Sequence, residues 1–120
     1  MLSDQQFNEY LESIGGLVNA YKLKPITDCG AFSVGPGWYS LLKDCIEECI
    51  AAGWDKEISQ VKEKLGTLRF YTGATSQEVF YIIRKYEHKS AQTCEKCGEP
   101  GTIQSNNGWL SCVCEDHKTK

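Results

Sequence analysis

Apolar residues Phe7, Tyr10, Leu11 and Ile14 recur at helical spacing behind Ser3, which has Gln6 in the capping-box position and Leu2 placed for a hydrophobic staple. Gly15-Gly16 end the pattern, so a helix is expected over about 4–14. A stronger repeat starts at Trp38. Trp38, Leu41, Leu42, Cys45, Ile46, Cys49 and Ile50 fall three and four apart, Gly53 supplies the C-cap, and the expected helix is about 38–52. Between these helices, residues 22–37 carry Pro25, Pro36 and three glycines and read as a connecting loop.

Residues 57–72, EISQVKEKLGTLRFYT, change to strand chemistry and are expected to form a β-hairpin turning at Leu65-Gly66. A third helix, about 76–89, opens at Thr75 or Ser76; Thr75 would have Glu78 in capping-box position. Its expected buried stripe is Val79, Phe80, Ile82, Ile83 and Tyr86. The fold class is therefore α+β: a helical and hairpin domain over 1–90, and a short tail over 91–120 packed on it.

That tail carries the clearest chemistry. Cys94-x2-Cys97 is followed by Cys114-x2-His117, two ligand pairs that a hairpin can bring together around a tetrahedral ion. Cys97-Gly98 suits a tight knuckle, Pro100-Gly101 a turn, and Asn106-Asn107-Gly108 a hairpin turn between two short strands. A segment so poor in apolar residues needs such a staple to fold, so one structural zinc ion is expected on Cys94, Cys97, Cys114 and His117. Cys112 is a rival to Cys114, but it would lie five residues from His117 rather than three, and beside Trp109 it is read as packing inward.

The remaining residues offer less. Cys45 and Cys49 could form a redox pair or a second metal site, yet their place on the apolar stripe reads as core packing. Nothing else supports a nucleophile pair of Cys29 and His88. Glu47 and Glu48 face away from the stripe and read as solvated. If the hairpin turn is two residues long, Lys62, Lys64, Arg69 and Tyr71 share one strand face, with Lys62 opposite Arg69. That face could hold an anion or nucleotide, or simply be a solvated surface. Glu63, among apolar neighbours, should bond a turn amide or pair internally.

Composition narrows the function class. The seven cysteines are an odd number without a secretory signal at MLSDQQFNEYLES, which points to a reducing cytoplasm and a metal site rather than disulfides. No stretch approaches the roughly 18–20 apolar residues of a membrane span. The net charge of −3 is a poor start for a nucleic-acid binder, and Glu115-Asp116 beside the expected metal make a zinc-ribbon contact to nucleic acid less favoured still. Residues 56–90 alone are basic, with seven bases against four acids. No phosphate loop, serine elbow or paired-carboxylate site is present, so no enzyme activity is expected.

Taken together, VKEKLGTLRFY at 61–71, the preceding GWYSLLKDC and the tail CEKCGEPG, GW, CVCEDH resemble a group of small bacteriophage and prophage proteins with a VKEKFGGLRFY-type segment. The resemblance covers about residues 36–117, and departs from the pattern at Leu65 and Thr67. It implies a non-enzymatic phage accessory protein in host cytoplasm, binding and inhibiting a host macromolecule in the manner of anti-defence proteins, with a host or phage protein as partner. A nucleotide or other anionic ligand on the basic hairpin face is the alternative.

Overall fold

The computed structural model describes residues 1–21 and 24–118. Helix α1 spans Asp4–Ser13 and begins as its sequence dictates: the Gln6 amide donates to Ser3 Oγ, and the Gln6 side chain accepts from the Ser3 amide. Its end is a Schellman motif, with the Gly15 amide bonded to Glu12 O and the Gly16 amide to Leu11 O, both glycines at positive φ. Strand β1, Val18–Asn19, follows directly.

The Pro- and Gly-rich stretch is more than a connector. Leu17 pairs with Ile26, a 3-10 turn runs from Cys29 to Ala31, and Ser33 bridges in parallel to Lys62. Residues 22 and 23 of the expected loop lie outside the described residues. A 3-10 turn at Pro36–Trp38 then leads into α2, Tyr39–Ala51, which closes on Gly53 through bonds from the Gly53 amide to Ile50 O and from the Trp54 amide to Cys49 O.

Strands β2, Glu57–Lys64, and β3, Thr67–Thr72, form the expected hairpin. Leu65 and Gly66 both have positive φ, +56° and +84°, as a two-residue turn of type I′ requires. Lys62 lies opposite Arg69 and Val61 opposite Phe70. A bulge between Ile58 and Gln60 allows Ile58 and Val61, three residues apart, both to be buried. The sheet order is β1-β2-β3, with β1 parallel to β2. Helix α3, Gln77–Ser90, starts at Ser76, whose Oγ accepts from the Val79 amide; Thr75 is not the cap, so Glu78 is not in a capping box.

The β2–β3 hairpin is engaged on both of its flanks. Ser33 covers β2 through its amide to Val61 O and its carbonyl from the Glu63 amide, while α3 covers β3 with side chains. The Leu68 amide donates to Ser90 Oγ at 2.8 Å and the Phe70 amide to Glu87 Oε2 at 3.0 Å. Ser90, fully buried, is thus a deliberate polar residue in the core, closing an edge that would otherwise be open to pairing. Under the sheet the helices bury Phe7, Trp38, Leu42, Ile46, Leu68 and Val79, and Phe7 stacks on Tyr39 with ring centroids 4.8 Å apart.

Two expectations fail on α2 and α3. Phe80 is 51% exposed, because the α3 stripe runs through Val79, Ile83, Tyr86 and Ser90 and leaves Phe80 beside Tyr81 on the outer side. Glu48 is not merely solvated: Lys85 donates to it at 2.7 Å and the Tyr86 hydroxyl also donates, tying α2 to α3. These bonds, from Lys85 first and then Tyr86, hold the Glu48 carboxyl below its ordinary 4.5.

Candidate metal centre

The tail is a two-stranded ribbon. Strands β4, Thr102–Asn106, and β5, Trp109–Val113, pair antiparallel about Asn107-Gly108, both at positive φ. At the other end of the ribbon sit the two ligand pairs. Cys94 and Cys97 lie on a knuckle closed by the Gly98 amide to Cys94 O at 2.9 Å, with Gly98 at φ +84°. Cys114 directly follows β5, and a 3-10 turn at Glu115–His117, with the His117 amide bonded to Cys114 O, swings the imidazole back.

The four ligand atoms all lie within 4.8 Å of one another. Cys97 Sγ is 3.6 Å from Cys114 Sγ, Cys94 Sγ is 3.6 Å from His117 Nδ1, and Cys114 Sγ is 3.0 Å from the same nitrogen. A tetrahedral site with metal–sulfur bonds of about 2.3 Å and a metal–nitrogen bond of about 2.0 Å has edges of about 3.5–3.8 Å. The cluster is already close to that size, and Nδ1 is the nitrogen turned toward the sulfurs. Among the described residues it is the one such group of three or more His, Cys, Asp or Glu side chains.

Proton affinity in the cluster is uneven. Against the upward push of burial, backbone amides of Cys114, Cys97 and Lys96 bring the Cys94 thiol down to about 6. At Cys97 the Glu99 amide pulls down, but burial and the Cys114 and Cys94 sulfurs outweigh it and raise the thiol to about 11. One sulfur is thus poised as thiolate at neutral pH, as a first ligand to a cation must be.

How the knuckle meets the rest of the chain is decided by Gly35 and Gly37. A Cβ on Gly37 would overlap the Cys94 carbonyl oxygen and stand 2.7 Å from the Cys97 nitrogen; one on Gly35 would lie 2.5 Å from the Glu95 carbonyl oxygen. Through this gap the Gly37 amide donates to Glu95 O at 2.7 Å, the Gly35 amide to Glu95 Oε2 at 2.8 Å, and Trp38 Nε1 to Thr93 O at 2.8 Å. No local pattern in the sequence announces these contacts. Their only trace in the sequence is the short-spaced Gly-Pro-Gly-Trp string, whose local grammar says "turn" and not "seat for a distant knuckle".

The other named residues separate. Cys112 is fully buried, belongs to the main core and is not one of the clustered ligand residues, as expected. Cys45 and Cys49 are fully buried there too. Cys29 packs against α1, its amide bonded to Asn8 Oδ1, while His88 is exposed on α3. Glu63 Oε2 accepts from the Gly66 amide at 2.7 Å, so it does bond the turn. Of the basic face, Lys62 lies 6.0 Å from the Tyr71 ring centroid and Lys64 is exposed, but Arg69 lines a separate cavity against α3.

The sequence matches no family model, and no curated protein or solved structure matches it. Among the described residues no helix is long and apolar enough to cross a membrane.

Proposed function

We propose that Cys94, Cys97, Cys114 and His117 bind one structural zinc ion, and that the chain is a non-enzymatic binding protein of the phage accessory type. The observation that carries the metal reading is the convergence of four ligand atoms from two knuckles within 4.8 Å. Three thiolates and one imidazole in tetrahedral array suit zinc best among common cations, and a set filled by protein leaves no position for a substrate. The ion then acts as a staple for the ribbon.

The docking half of the reading rests on the resemblance and on one surface. At the tips of the two hairpins Trp109 is 73% and Leu65 59% exposed, with Lys64 and Leu110 lining the same depression. A tryptophan held out on a stapled ribbon is the kind of anchor that protein interfaces concentrate their energy in. The partner is a host protein in the cytoplasm, and the effect is inhibition of a defence system. Two experiments test this. Elemental analysis of protein purified without added metal should return one zinc per chain. Expression in bacteria carrying a panel of defence systems should restore phage plating at least tenfold against one of them, and Trp109→Ala should abolish the effect; no rescue across the panel contradicts the docking reading without touching the metal one.

A further inference from the structure

Arg69 departs from the other three residues of the basic face. It lines a cavity of about 200 Å³ at the seam of β3 and α3, together with Thr67, Arg84, Glu87 and His88. We propose that this cavity binds the phosphate group of a small phosphorylated ligand, gripped by Arg69, Arg84 and His88.

Three observations support the site. First, Arg69 Nε is buried and has no hydrogen-bond partner, so a guanidinium donor is withdrawn from water with nothing to satisfy it. Second, positive charge is in excess, two arginines against a single carboxylate. Glu87 is the one acid in the lining, and its Oε2 is taken by the Phe70 amide. Among the described residues neither Arg69 nor Arg84 makes an ion pair. Third, the geometry converges. Arg84 and His88 are four apart on α3 and therefore neighbours on one helix face, while Glu87 and Ser90 bond the β3 edge and fix that helix against Arg69.

The chemistry selects an oxyanion. Two guanidinium forks match the oxygens of a phosphate, and a histidine offers a ring N–H donor in either protonation state. The volume is below the roughly 300–1,000 Å³ of pockets that enclose a whole small molecule, so the cavity takes the phosphate and leaves the remainder of the ligand on the surface. A bound anion would also relieve the repulsion between Arg69 and Lys62, which face each other across the hairpin. None of the lining residues belongs to the Cys/His cluster, so the inference stands apart from the metal reading.

The test is a two-dimensional NMR titration of the full chain as purified, with inorganic phosphate and with adenosine 5′-monophosphate, against potassium chloride at matched ionic strength. Saturable shifts confined to residues around 67–69 and 84–91, with the nucleotide binding at least as tightly as phosphate, are expected. Arg84→Ala, an exposed change that leaves the fold intact, should weaken binding about ten- to a hundredfold, and Arg69→Lys, which keeps the charge but loses the fork, should do the same. Lys64→Ala, outside the cavity, should change it less than about twofold. Shifts reproduced by chloride, binding unaffected by both arginine variants, or phosphate binding with exclusion of the nucleotide would each overturn the proposal.

Discussion

Residues 1–90 and the ribbon that follows are held together by different physics. The first region encloses a continuous apolar core around Phe7, Trp38, Leu42 and Leu68, with both flanks of the β2–β3 hairpin engaged. The ribbon has almost none: its own buried cluster is Cys94, Val113 and Cys114, with Cys97 packed against it. Three of those four are candidate ligands, so the same side chains that would supply hydrophobic burial are the ones a metal would claim. Of the described ribbon residues, only Cys112 extends into the main core. The contrast teaches that burial can carry the first region, at about 25 cal/mol per Å² of apolar surface, whereas the second has little of its own and is where the proposed metal would offset conformational entropy.

The largest expected effect comes from removing one ligand. Cys114→Ser should release the metal and unfold the ribbon, a loss on the order of 10 kcal/mol of coupled binding and folding, while far-UV circular dichroism of the helical region persists. Cys112→Ala should instead keep the metal, at a cost of about 1 kcal/mol from the core; loss of metal there would exchange the roles of the two cysteines.

Next in size is the joint between the regions. Gly37→Ala places a methyl group into the backbone of Cys94 and Cys97, and should destabilise the protein by about 1–3 kcal/mol and weaken metal affinity with it. Denaturant unfolding and a chelator competition measure the two together; an unchanged metal affinity would mean that the ribbon does not depend on its seat.

Within the first region, Ser90→Ala leaves the Leu68 amide without its acceptor and should cost about 1–3 kcal/mol, read as a lower denaturation midpoint with metal content equal to that of the unmodified protein. The smallest effect belongs to Glu48. Its carboxyl is held below 4.5 in the folded state, so the stability it adds is fully present above pH 4.5 and fades as pH falls below that value and the carboxylate protonates. The pair is half exposed, so Lys85→Met should change stability by less than about 1 kcal/mol at neutral pH and flatten that acid limb slightly.

What could be read from the chain follows from how local each feature is. The Ser3–Gln6 cap, the Leu65-Gly66 turn with its register, the Glu63 bond to the turn and the Cys/His spacing are each written within a few residues, and each is present. Strand β1 is two residues long and exists only because β2 pairs with it, so no periodicity announces it. Phe80 and Val79 are adjacent apolar residues at the edge of a stripe, and tertiary packing alone decides that Val79 goes inside. Arg69 carries the strand-face position expected of it, but its neighbours come from α3, fifteen or more residues further along the chain. The seat formed by Gly35 and Gly37 is likewise a contact across sixty residues.

The central claim, that a metal and not burial orders the ribbon, is tested most directly by hydrogen exchange resolved along the chain before and after removal of metal by a chelator. The account predicts that amides of residues 94–117 pass from protected to freely exchanging, while those of α2 and of the β2–β3 hairpin keep their protection. Unchanged protection of residues 94–117 in demonstrably metal-free protein would contradict it.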